Sequence, residues 1–219
     1  MQHGPDTSPL PVDHLAGSGR ADAPALVLRS GTLSYNDLRS RVSCLAGWLA
    51  ERLPEHGARV ASWAAKGELA CLLPLVAARA GLVHVPINPM LKHAQVRHIL
   101  HDSGAALLLG TPARLQSLGP DDVPQTCAVV AEPDALSHAA ALGRALPPSR
   151  GSADDLAAIL YTSGSTGRPK GVMLSHANLW LGAQSVASYL GLAADDRTLG
   201  LLPLAFDYGQ NQLLSTWYA

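Results

Sequence analysis

Aromatic residues make up only 5% of this 219-residue chain, too few to build a platform on which nucleic-acid bases stack. Charge of one sign is also missing: 16 Lys and Arg against 17 Asp and Glu leave a net −1. That balance gives no electrostatic case for binding nucleic acid or an acidic membrane surface. Cysteine is scarce, with Cys44, Cys71 and Cys127 widely spaced and no C-x-x-C pair. An odd, dispersed set reads as small buried hydrophobes in a reducing, cytoplasmic setting. No uninterrupted hydrophobic run is long enough to cross a membrane. The most apolar stretch, 69–87, is broken by Pro74, Arg79 and His84, and reads as a buried helix followed by a strand. The opening MQHGPDTSPLPVDHL lacks the basic start and apolar stretch of a secretory signal. It is expected to be a loose, disordered tail over residues 1–20.

What is present is a hydrophobic content of 47%, enough for a sizeable core, arranged as alternating strands and helices. Residues 25–28 read as a short strand. Ser34, with Asp37 three residues on, opens a helix by a capping-box pattern, and Leu38, Val42, Leu45, Leu49 and Leu53 form one apolar stripe along it. Strands follow at 59–64, 82–87, 105–109 and 127–131, with helices at 68–80 and 92–101 between them. Pro74 notches the first of these helices and Gly81 stops it. This alternation implies an α/β fold with a mostly parallel sheet and flanking helices. Segments 112–124 and 133–151 are richer in Pro, Gly and Asp. The second places an expected boundary near 150, between a first α/β subdomain (21–150) and the start of another (151–219).

The chemistry concentrates in Tyr161 to Gly171, YTSGSTGRPKG, between the strand-like runs LAAILY and VMLSH. A nucleotide polyphosphate carries several negative charges and needs many donors at close range. Gly164, Gly167 and Gly171 allow backbone N–H groups to approach and turn inward as an anion nest. Thr162, Ser163, Ser165 and Thr166 supply hydroxyls, Lys170 a compact charge with three donors, and Arg168 a further cation. Pro169 stiffens the turn ahead of the lysine. The G-x-x-x-x-G-K-[ST] phosphate loop does not fit, because Arg-Pro separate Gly167 from the lysine and no Ser or Thr follows it. The G-x-G-x-x-G spacing is absent as well. A plain Gly/Ser-rich surface hairpin is the alternative that composition alone permits.

The string resembles the phosphate-loop signature Tyr-Thr-Ser-Gly-Ser-Thr-Gly-x-Pro-Lys-Gly of the adenylate-forming, AMP-binding superfamily. That superfamily groups acyl-CoA synthetases, the adenylation domains of peptide synthetases and luciferases. LSYNDL (33–38), ARAGLVHVPINP (78–89), SHANL (175–179) and LLPLAFDYG (201–209) resemble further family elements in the same order. The resemblance implies an AMP-forming acid–thiol ligase of the acyl-CoA synthetase kind, using ATP and Mg2+. A small-molecule carboxylic acid would attack the α-phosphorus of ATP and expel pyrophosphate. Coenzyme A, or the pantetheine of a carrier protein, would then take the acyl group. Thr162, Ser163, Gly164, Ser165, Thr166, Gly167 and Lys170 would hold the β- and γ-phosphates.

On the same resemblance Phe206 takes a position that gates the acyl pocket. Asp207 falls where amino-acid-activating domains bind the substrate's amino group. Two readings of Asp207 stay open: a contact to an amino- or hydroxyl-bearing acid, or a cap on a helix starting near Gly209. The family's later elements, which hold adenine, ribose, the Mg2+ ligand and a catalytic lysine, have no counterpart in this sequence. The chain is therefore expected to be an N-terminal part, inactive alone, with its catalytic residues beyond Ala219; an amino-acid adenylation fragment and a non-catalytic nucleotide- or acyl-binding remnant are the alternatives.

The histidines are read conservatively. His98 and His101 with Asp102 have the spacing to share a metal, but a solvated helix face explains them as well. His84 reads as a core histidine. His176 reads as part of a helix start capped near Ser175.

Overall fold

The computed structural model describes residues 8–163 and 168–219. Among these residues, eight strands and seven α-helices follow one another as β1 (Pro24–Leu28), β2 (Gly31–Ser34), α1 (Tyr35–Arg52), β3 (Arg59–Trp63), α2 (Glu68–Arg79), β4 (Val83–Pro86), α3 (His93–Ser103), β5 (Ala105–Gly110), α4 (Pro112–Leu115), β6 (Ala128–Ala131), α5 (Glu132–Leu142), β7 (Leu156–Ser163), β8 (Pro169–Ser175), α6 (His176–Leu190) and α7 (Asp207–Tyr218). β1 and β2 form a small antiparallel pair, and the other six strands make one sheet in the order β6-β5-β3-β4-β7-β8. All its neighbours run parallel except the terminal β7–β8 hairpin. This is the mostly parallel α/β architecture that the strand–helix alternation implies.

The central strands are apolar on both faces because both faces are covered. Val60, Leu107, Leu109, Ala158 and Leu160 pack with α1, α2, α5, α6 and α7 on one side. Their chain neighbours Ala61, Leu108, Ile159 and Tyr161 point the other way, into a second cluster with Val96, Ile99 and Leu100 of α3. The period of two along each strand thus splits the core into two layers.

Local signals set the element ends. Ser34 caps α1 and Asp37 returns the bond to the Ser34 backbone, so the expected capping box is present. Leu38, Val42, Leu45 and Leu49 of its stripe are buried. Gly81 turns the chain out of α2 at a φ of 71°, a value that favours glycine.

Two stretches differ from the sequence reading. Residues 12–17 lie within the expected loose tail, yet they fold as a 3-10 helix with Val12, Asp13, Leu15 and Ala16 buried. A buried ion pair holds it, since Arg79 Nε donates to Asp13 Oδ2 at 3.0 Å. Residues 132–142 of the Pro- and Asp-rich segment form α5, whose Pro133 occupies the first turn, where a missing N–H costs nothing. Beyond this segment β7 and β8 extend the same sheet as the strands before it.

Candidate functional site

The phosphate-loop string sits at the carboxyl end of β7, on the edge of the sheet where parallel strands end and ligands of open α/β folds collect. β7 and β8 close it from both sides: Tyr161 pairs with Gly171, Thr162 with Lys170 and Ser163 with Pro169. Directly opposed residues share a face of the sheet. Thr162 and Lys170 therefore stand together, and the side chains of both are exposed, as a charge offered to a ligand must be. Gly164, Ser165, Thr166 and Gly167 lie outside the described residues, as does the side chain of Ser163. Arg168 is exposed beside the string.

The opposite face of the hairpin is occupied. Tyr161 is buried there, and its hydroxyl donates to Asp102 Oδ2 of α3 at 2.6 Å. Burial, and then the carboxylate that accepts its proton, hold the phenol above its ordinary range. His98, one turn earlier on α3, donates from Nε2 to the Pro169 carbonyl at 2.9 Å and stands edge-on to the Tyr161 ring. Gly171 permits this packing, since a Cβ there would lie 2.7 Å from Ile159 Cγ2 and 3.2 Å from Tyr161 Cζ. His98 and Asp102 thus brace the hairpin. His101 is exposed, and among the described residues no three His, Cys, Asp or Glu converge as metal ligands.

The segment carrying Phe206 and Asp207 reaches the same edge of the sheet. Pro203, Leu204 and Ala205 line a hollow of about 40 Å³ with Ser62 and Ala64 at the end of β3 and Pro86 and Ile87 at the end of β4. Lys66 straps this segment down by donating to the carbonyls of Gly200 at 2.6 Å and Leu202 at 2.7 Å. β4 neighbours β7, so the strapped segment lies one strand away from the phosphate hairpin. Phe206 and Asp207 are exposed at the head of α7. The helix starts at Asp207, with Phe206 in the capping position. Asp207 is its first residue, so it does not cap a helix starting near Gly209.

Neither residue lines the larger cavities. One of about 460 Å³ lies between β1, 196–204 and α7, with Lys66, Cys71 and Trp217 in its wall. Another, of about 870 Å³, lies beside Trp63, His93 and Arg114.

Three further histidine and cysteine readings are resolved by burial. His84 is a core residue: Ser62 Oγ lies 2.9 Å from its Nε2, and burial pushes its pKa down to about 3. Ser175 caps α6 and forms a capping box with Asn178. His176, the first residue of that helix, is buried and held below its ordinary range by that burial; the Val12 N–H points at its Nδ1 from 3.5 Å. The three cysteines are free, and burial raises the thiols of Cys71 and Cys127 to about 11.

Sequence reading misses the Lys66 strap and the His98–Asp102 brace, because their partners lie 134 and 136 residues away for the strap, and 71 and 59 for the brace. The only local signal of the brace is a His and an Asp four residues apart on one helix face.

The family model described as AMP-binding enzyme matches residues 14–219. An L-proline–[L-prolyl-carrier protein] ligase of Pseudomonas fluorescens is 34% identical over 187 residues, covering 84% of this chain and 38% of the relative. A feruloyl-CoA synthase of an Amycolatopsis species is 36% identical over 190 residues, covering 84% and 37%. The chain thus spans less than two fifths of the length of these relatives. Among solved structures, ATP-bound MatB from Rhodopseudomonas palustris superposes with a TM-score of 0.81 at 28% identity, over 95% of this chain and 44% of that one.

Proposed function

The chain belongs to the AMP-binding enzyme family, and on that premise we propose that it supplies the phosphate-holding part of an ATP-dependent, AMP-forming acid–thiol ligase. The observation that carries this reading is the Thr162–Lys170 pair, set side by side at the carboxyl edge of the sheet by the β7–β8 hairpin. In such a ligase the carboxylate oxygen bonds to the α-phosphorus as the bond to the β-phosphate oxygen breaks, and pyrophosphate leaves. The thiol sulfur then bonds to the acyl carbon and AMP leaves. This chain's share is electrostatic. Lys170 faces the charge that accumulates on departing pyrophosphate, and Thr162 donates a hydroxyl to the same oxygens. Exposed Arg168 adds a second cation at the string. Mg2+ would arrive with ATP, and no ligand for it is assigned among the described residues.

The acid is the less constrained partner. The strapped 200–207 segment is the proposed acyl side of the site, with Phe206 as its gate and Asp207 as a contact for an amino- or hydroxyl-bearing acid. The relatives' names divide between a coenzyme A ligase and a carrier-protein ligase. Coenzyme A and a carrier pantetheine are therefore both retained as thiol acceptors. Because the chain spans 37–38% of those relatives, the complete reaction is proposed to need residues outside these 219.

The test is a competition. ATP should bind the chain at one site, from which pyrophosphate displaces it and orthophosphate does not, with no carboxylate-dependent exchange of pyrophosphate into ATP. Release of orthophosphate from ATP would replace this reading with that of a hydrolytic NTPase.

A further inference from the structure

Two polar side chains of α3 touch the phosphate hairpin on the face that carries no ligand-binding group. We infer that His98 and Asp102 are positioning residues for Lys170: they clamp the two strands of the hairpin from beneath, and so fix where the lysine presents its charge.

The argument begins with the strand geometry. Tyr161 and Gly171 share the face toward α3, so Thr162 and Lys170, one residue along each strand, share the other. The ends of the string are therefore held from one side and used from the other. On the β7 strand the hold is the Tyr161 hydroxyl on Asp102 Oδ2, at 2.6 Å. On the β8 strand it is His98 Nε2 on the Pro169 carbonyl, at 2.9 Å, in the peptide unit that leads into Lys170. Because the acceptor there is a carbonyl, His98 must carry its proton on Nε2.

The two contacts come from residues four apart, one turn of a rigid helix, so they act on both strands as a unit. β8 is the last strand of the sheet and pairs with β7 alone. α3 adds a second hold to that ladder at the Pro169 end of β8, as the Ser175 cap of α6 does at the other end. Asp102 is a carboxylate accepting a short, charge-assisted bond, which ties the hydroxyl more firmly than a neutral acceptor would. The glycine at 171 completes the arrangement, since a Cβ there would lie 2.7 Å from Ile159 Cγ2 and 3.2 Å from Tyr161 Cζ.

This inference rests on the reading of the hairpin as phosphate-holding, and the experiment separates the two. Pyrophosphate is titrated calorimetrically into the wild-type chain and into Lys170→Ala, His98→Ala, His98→Gln and Tyr161→Phe. Hydrogen exchange of the peptide spanning β7 and β8 is followed in parallel. Losing one hydrogen bond of the clamp should weaken pyrophosphate binding about fivefold in His98→Ala and Tyr161→Phe, and speed exchange of the hairpin amides. His98→Gln should restore both, because its amide N–H reaches the same carbonyl. Wild-type affinity in His98→Ala and Tyr161→Phe, beside a loss in Lys170→Ala, overturns the clamp alone. A loss in His98→Gln equal to that in His98→Ala also overturns it, by assigning the effect to packing. Wild-type affinity in Lys170→Ala overturns the phosphate reading and the clamp with it.

Discussion

His84 shows how one buried side chain makes the fold sensitive to acid. Its pKa is pushed down to about 3 by burial, from an ordinary 6.5. Above pH 6.5 it is neutral in both states and its contribution to stability is complete. As pH falls below 6.5 the unfolded chain takes up a proton that the folded one refuses, so stability declines toward pH 3. At 1.36 kcal/mol per pH unit this loss reaches about 2 kcal/mol by pH 5. Urea unfolding at pH 7.5 and pH 5 should show a smaller acid loss in His84→Gln than in wild type. Gly171 is a second such position, where space decides the outcome. A Cβ would meet Ile159 Cγ2 at 2.7 Å, and both strands are held in register, so Gly171→Ala should overpack the hairpin. We expect about 1–3 kcal/mol of destabilisation, measured as a lower denaturant midpoint. The proposed phosphate-holding role of the string adds a further expectation: Gly171→Ala should also weaken pyrophosphate binding, because Lys170 is its neighbour.

At the scale of elements, Ser175 and Asn178 join β8 to α6 through a reciprocal capping box. Ser175→Ala should cost about 1 kcal/mol, read as a shift in the thermal midpoint, and leave β8 less firmly tied to the helix that follows. Such caps are legible in the residues themselves: Ser34 with Asp37, and Ser175 before its helix, start α1 and α6. The stripe from Leu38 to Leu49 marked the buried face of α1, and the apolar runs marked β3, β4, β5 and β7. Illegible elements share a physical reason. The 3-10 helix at 12–17 is too short to show a period, and the ion pair that holds it comes from Arg79, 66 residues away in the chain. α5 begins with Glu-Pro-Asp, which resembles a turn, although proline and acids are also favoured in a helix's first turn. Of the candidate site, Thr162 and Lys170 were legible as expected phosphate contacts, and the β7–β8 register pairs them. The brace from His98 and Asp102 was not, because the same two residues equally describe a solvated helix face. Phe206 and Asp207 were assigned by resemblance, and their side chains stand exposed at the head of α7.

Over the whole molecule, a buried ion pair joins three distant parts of the chain. Asp13 Oδ2 accepts from Arg79 Nε at 3.0 Å and from the Ser149 N–H at 3.0 Å, linking the 3-10 helix, α2 and the crossing into β7. The side chains of Arg79 and Asp13 are 5% and 0% exposed. Arg79→Met would leave the carboxylate buried without its cation, at a cost of about 3–5 kcal/mol, and the double variant with Asp13→Leu should recover much of that loss. Chemical denaturation of the two variants checks the order. The six-stranded sheet brings the ends of β3, β4 and β7 to one edge, where the Thr162–Lys170 pair and the strapped 200–207 segment lie a strand apart. That edge is the proposed meeting place of ATP and acid. There Lys170 is proposed to serve the phosphates, and the most direct measurement is calorimetric titration of pyrophosphate into the wild-type chain and into Lys170→Ala. Binding by the wild type that falls at least about tenfold in the variant, as expected for losing a charge-assisted contact, is the predicted result. Equal binding by the two chains, or none by the wild type, would contradict it.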